Sequence, residues 1–73
     1  MAIRVRKMTT EEAEAIERLA SSRTQSAGLV ERAKIVWLSQ QGEWVKGIAQ
    51  TLGIHGETVR TWLKRFNSQG LAG

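Results

Sequence analysis

Apolar residues recur along most of this chain at helical spacing, not at the two-residue period of a strand. Between Ala13 and Ala20, the residues Ala13, Ile16, Leu19 and Ala20 form one buried stripe. Just upstream, Thr9 is followed three residues later by Glu12, the signature of a capping box, and Glu11 and Glu12 favour the positive end of a helix dipole. The first helix is therefore predicted to open at Thr9-Thr10-Glu11-Glu12. The polar run Ser21 to Ser26 follows as a connector. A second helix is predicted from about Ser26 to Gln40, with Leu29, Ala33, Val36 and Trp37 inward, Val30 and Leu38 widening that stripe, and Gln41-Gly42 ending it. A third is predicted from about Trp44 to Leu52 and a fourth from about Gly56 to Ser68, after which residues 67–73 read as a helix stop and a loose end. Strict alternation occurs only over Ile3 to Arg6, which reads either as a short edge strand or as a flexible arm that orders on a partner.

Residues 45–64 carry the most specific pattern. Their apolar positions are Ile48, Leu52, Ile54, Val59 and Trp62, with Gly53 where the third helix must stop. A residue just past a helix end often takes a left-handed backbone that glycine adopts at least cost. Ala49, one turn earlier, is small enough for a second helix to cross closely. The fourth helix repeats the apolar spacing at Val59, Trp62, Leu63 and Phe66, while Glu57, Arg60, Thr61 and Lys64 share its other face. This is the pattern of a helix-turn-helix, whose second helix lies in a DNA major groove. A helical hairpin with a merely solvated polar face is the plainer reading of the same residues.

Charge shifts the balance between these two. The 73-residue chain has a formal net charge of +4, spread unevenly. Arg4, Arg6 and Lys7 begin it, Glu11, Glu12, Glu14 and Glu17 make the first helix acidic, and from Arg18 onward eight basic residues face three acidic ones. A basic body with one acidic helix suits a polyanion met by one face only. The absence of cysteine excludes disulfides and thiolate metal sites, and one histidine with scattered glutamates makes no zinc site. No cofactor is expected. No apolar run reaches bilayer-spanning length and the start lacks a signal peptide's apolar core, so the cytoplasm is the default location. No nucleophile–base pair, carboxylate cluster or phosphate loop supports an enzyme. These observations predict an all-α domain of about four helices over residues 9–73, with a trihelical helix-turn-helix core, preceded by a short basic arm or strand at residues 1–8.

Three runs also carry a family resemblance: Leu29-Val30-Glu31-Arg32-Ala33-Lys34-Ile35-Val36; Ile48-Ala49 with Leu52-Gly53-Ile54; and Thr58-Val59-Arg60, Trp62, Arg65-Phe66 and Gly70-Leu71. Together with Ser22-Arg23-Thr24 and Ile3-Arg4-Val5-Arg6, they resemble the N-terminal DNA-binding region of bacterial insertion-sequence transposases related to the Tc1/mariner group. The resemblance covers nearly the whole chain. It implies a homeodomain-like fold, recognition of transposon terminal inverted repeats, and a bacterial, nucleoid-associated setting. In that family a metal-dependent RNase H-like catalytic domain follows. No part of that domain falls within residues 1–73, so DNA binding carries over and catalysis does not. Three departures stand out. Trp44 replaces the usual Ser or Thr before the third helix. Gly47 replaces a charged helix former, at about 1 kcal/mol relative to alanine. His55-Gly56 stands where a serine commonly caps the recognition helix, and a missing cap costs around 1 kcal/mol.

If the fourth helix enters the major groove, the candidates for base edges are His55, Glu57, Arg60, Thr61 and Lys64. Arg60 leads, because a guanidinium can bridge guanine O6 and N7. Glu57 can accept from a cytosine amino group or simply stabilise the helix start. Lys46, Thr58, Arg65, Arg4, Arg6 and Lys7 are candidates for phosphates, which fix position and not sequence. Arg32 and Lys34 flank the second helix within reach of phosphates, although each taken singly reads more simply as solvated surface charge. Trp62, Phe66 and Trp37 are expected in the core, and Trp44 partly exposed. The expected partner is double-stranded DNA, with no membrane and no small-molecule ligand. A small homodimeric transcriptional regulator of the same fold and a protein-interaction module are the rival readings.

Overall fold

A computed structural model describes residues 3–70. They form four helices and, among the described residues, no strand: α1 (Thr10–Ala20), α2 (Ala27–Gln40), α3 (Val45–Leu52) and α4 (Gly56–Gln69). The expected helix bounds hold to within a residue. The last part of the expected loose end, residues 71–73, lies outside the described residues, as do residues 1–2 of the arm.

Each helix end follows from its local sequence. Thr9 caps α1 in a complete capping box: its Oγ1 accepts from the Glu12 N–H at 3.1 Å, and its own N–H donates to Glu12 Oε1 at 3.2 Å. Ser26 caps α2 by accepting from the Leu29 N–H. Neither Trp44 nor His55 makes a side-chain cap on α3 or α4, as the unusual residues at those positions suggested. Three glycines, Gly42, Gly53 and Gly70, take positive φ and turn the chain after α2, α3 and α4. Gly53 (φ 67°, ψ 37°) is the left-handed residue expected at the helix-turn-helix turn, and the Ile54 N–H donates to the Ala49 carbonyl at 3.0 Å, closing a Schellman-type end.

Packing bears out Ala33 and Val36 as inward residues of α2 and adds two that the apolar stripe did not mark, Ile35 and Ser39. These four are buried, while Leu29, Val30, Trp37 and Leu38 are only half-buried. The reason is position: α2 lies between α1 on one side and α3 and α4 on the other. Ala33 and Val36 join Ile16 and Phe66 in one cluster, with Trp37 and Leu19 at its edge. Ile35 joins Val45, Ile48, Val59 and Leu63 in a second. Ile35, Ile48, Val59 and Leu63 are wholly inaccessible. Each such side chain contributes about 1.5–3 kcal/mol relative to exposure, enough for the second cluster to hold α4 at a fixed angle on α2 and α3.

The N-terminal segment is neither an edge strand nor a free arm. Residues 3–8 run over the helices without regular secondary structure, with Ile3, Val5 and Met8 packed on the two clusters. The Val5 N–H donates to the buried Ser39 Oγ at 2.8 Å. Asn67 of α4 grips the same segment twice, accepting from the Arg6 N–H at 2.7 Å and donating to the Arg4 carbonyl at 2.9 Å. Three of the segment's backbone polar groups thus find partners on α2 and α4 where a strand would need a neighbour.

Candidate nucleic-acid interface

The three-residue turn Gly53-Ile54-His55 sets α4 across α3, and the buried residues Val59, Leu63 and Phe66 fix which way α4 is rotated. What remains outward is Glu57, Arg60, Thr61, Lys64, Arg65 and Ser68, all exposed. Four of the five expected base-contact residues therefore lie on one helix face. The fifth, His55, is exposed at the residue before that helix. Thr58 is half-buried at the first turn, and its N–H donates to the His55 carbonyl at 3.1 Å.

Arg60 is held in place. Its Nη1 donates to Glu57 Oε1 at 3.0 Å, one turn closer to the helix start, while both side chains stay well exposed. A Cβ added at Gly56 would lie 3.7 Å from the same Arg60 Nη1. The guanidinium folds back over the N-terminal turn of α4 through its bond to Glu57, and comes within ordinary contact distance of Gly56. With Nη1 on Glu57, the Nε–Nη2 edge is the one left free for a bidentate partner. Glu57 thus acts on Arg60 as well as on the helix start. Thr61 is also fixed, its Oγ1 donating to the Glu57 carbonyl at 2.9 Å.

An open groove separates the start of α3 from the start of α4, lined by Trp44, Lys46, Gln50, Ile54 and Arg60 among others. Lys46, a sequence candidate for phosphate, and Arg60 therefore share one concavity. Gln50 joins them unanticipated; it sits on the exposed side of α3, and its amide can serve an adenine edge as well as solvent. Trp44 is 51% exposed, as expected, with the Arg4 guanidinium 4.8 Å from its ring centroid.

Arg6, expected on a phosphate beside Arg4 and Lys7, is placed differently. Both its terminal nitrogens engage Glu12, at 3.0 and 2.8 Å, and the guanidinium lies over Phe66. The Arg6 hydrogen bonds, followed by the Thr9 N–H, lower the Glu12 pKa to about 2. Arg6 is spent on the fold, while Arg4 and Lys7 remain exposed. Trp62 is half-buried, not enclosed, and two guanidiniums, from Arg32 and Arg65, lie over its ring. The sequence leaves Arg32 between a phosphate contact and a solvated charge and gives no sign of its stacking on Trp62, because nothing in the spacing of α2 residues shows which α4 residue lies opposite. Ser39 and Asn67 were missed for the same reason: their partners are more than thirty residues away. Among the described residues no helix is long and apolar enough to cross a membrane.

No curated protein and no solved structure matches the chain. A family model described as a homeodomain-like domain matches residues 26–73, which spans α2, α3 and α4 and so the whole trihelical unit. This is a helix-turn-helix family found in transposases. With four helices, a left-handed glycine turn and a family model over most of its length, the chain belongs to the homeodomain-like helix-turn-helix domains.

Proposed function

We propose that this domain binds duplex DNA with sequence preference, placing the N-terminal half of α4 in the major groove, and that it serves as the transposon-end-binding part of a transposase. The observation that carries the DNA reading is the outward face of α4. Glu57, Arg60, Thr61 and Lys64 stand exposed together on a helix whose opposite side is locked into a closed core. A major groove is about 12 Å wide and admits one α-helix. Arg60, held over the first turn with its Nε–Nη2 edge free, reads guanine. Lys46, on the other side of the shared groove, meets a phosphate of the flanking backbone. The transposase assignment rests on the family's occurrence in transposases and on the sequence resemblance extending from Ile3 to Leu71.

Selection of bound duplexes from a random DNA pool, followed by sequencing at near-physiological salt, tests both parts. An enriched, asymmetric motif containing a guanine is expected. A palindrome with half-sites about one helical turn apart would replace the transposon-end reading with a dimeric regulator. No binding to any duplex would leave a protein-interaction module in its place.

A further inference from the structure

Trp62 brings together two cations that the chain keeps far apart. Arg32 of α2 has its guanidinium carbon 3.8 Å from the Trp62 ring centroid, and Arg65 of α4 lies 4.9 Å from the same centroid. The two like charges are thus no farther apart than the sum of those distances. Both residues are exposed. Among the described residues the ion pairs are Arg6–Glu12 and Arg60–Glu57, so neither Arg32 nor Arg65 has a carboxylate partner. Two exposed guanidiniums so close together make a local concentration of positive charge that no carboxylate offsets. The electron-rich face of an indole offsets part of that charge, and stacking on it also restricts two otherwise mobile side chains. The ring is occupied by these cations, which removes it as a platform for base stacking.

The position of the pair says what the remaining partner is. Arg65 follows Thr61 by one turn, at the edge of the outward face of α4, and Arg32 reaches that edge from α2. Lys46 flanks the opposite edge from α3. A helix lying in a major groove has a phosphate backbone along each side, so cations on both flanks match two strands. The geometry points to Arg32, Trp62 and Arg65 as one composite binding site for the phosphate backbone of duplex DNA, on the α2 side of the recognition helix. This rests on the DNA-binding reading above and adds to it a site whose key residue, Arg32, lies outside the helix-turn-helix pair. The guanidinium edges turned away from the indole supply donors to phosphate oxygens, and the contact carries no sequence information.

The test uses the full chain, the duplex enriched by selection and an unrelated duplex of the same length. Binding constants are measured across a salt series for the unaltered protein, Arg32→Gln, and Arg23→Gln as a control at an exposed connector arginine. For Arg32→Gln the slope of log K against log salt should shrink by about 1, with affinity falling by the same factor on both duplexes. Arg23→Gln should leave the slope unchanged. Thermal melting of each variant separates a folding defect, which would not alter the number of counterions released by the molecules that do bind. An unchanged slope in Arg32→Gln, in a protein that still binds DNA, would overturn this site and leave the DNA reading standing. A loss confined to the selected duplex would overturn it too, since that marks base readout. Absence of binding by the unaltered protein would remove both.

Discussion

At the scale of single residues, two small polar side chains, Ser39 and Asn67, hold the backbone of the N-terminal segment, which the hydrophobic clusters cannot. Ser39 is wholly buried on α2 and its hydroxyl accepts from the Val5 N–H. Replacing it with alanine fills nothing and strands a backbone donor in an apolar setting, so Ser39→Ala should lower the free energy of unfolding by about 1–3 kcal/mol in urea titrations. A destabilisation indistinguishable from zero would mean that the N-terminal segment is not held by this bond. The Glu57–Arg60 pair makes a different kind of claim. Arg60→Ala should reduce discrimination against a substituted guanine by roughly 1–3 kcal/mol in competition binding. Glu57→Gln removes a charge repelled by phosphates and releases Arg60, so it should tighten binding to unrelated DNA while weakening preference for the selected motif. If both variants bind all duplexes as the unaltered protein does, Arg60 does not read a base.

At the scale of helices, the two kinds of glycine separate cleanly. Gly53 ends α3 in the left-handed region, and although a Cβ there would meet nothing within 4 Å, the conformation itself disfavours one. Gly53→Ala should therefore cost about 1–2 kcal/mol. Gly28 sits exposed in the first turn of α2 with an ordinary helical backbone and open space around it. Gly28→Ala should stabilise by about 0.5–1 kcal/mol. Thermal denaturation of the two variants checks the pair, and the opposite signs are the point of the comparison. The helices were legible in the sequence because caps and glycines are local signals: Thr9 with Glu12, and Gly53 after Leu52, need no knowledge of the rest of the fold. The facing of α2 was legible only in part: Ala33 and Val36 are buried as their spacing indicates, while Ile35 and Ser39 are buried without such a sign. Helical periodicity locates an apolar stripe, but a helix buried on two sides has no single stripe, and Ile35 and Ser39 could be ranked only once α3 and α4 were in place. The outward face of α4 was legible because that helix is buried on one side alone. What lies beside it, Arg32 over Trp62 and Gln50 in the groove, comes from other helices and leaves no trace in the spacing of α4.

At the scale of the whole molecule, both ends of the described chain meet at one ion pair. Arg6 from the N-terminal segment and Glu12 from α1 are joined over Phe66, and a Cβ at Gly70, just past α4, would lie 3.2 Å from Arg6 Nη2 and 3.3 Å from Glu12 Oε2. The pair couples three segments to the protonation state of one carboxylate. In the folded protein Glu12 titrates near pH 2, against an ordinary value of 4.5 for a free glutamate. Below the ordinary value the unfolded chain takes up a proton that the folded chain still refuses, so proton binding favours unfolding. The stability that Glu12 contributes is therefore fully present above about pH 4.5 and is lost as pH falls towards 2. Six other acidic residues titrate over an overlapping range, so the unaltered protein alone does not isolate this contribution. The comparison with Glu12→Gln does. Melting temperatures measured from pH 7 to pH 2 should show the variant less stable at neutral pH, with the gap between the two curves closing through the window from 4.5 to 2. Because the Arg6 hydrogen bonds are the largest cause of the lowered pKa, Arg6→Gln should close the gap in the same window. Parallel curves for the unaltered protein and Glu12→Gln would show that the N-terminal segment is fastened by Ser39 and Asn67 and gains nothing from the charge.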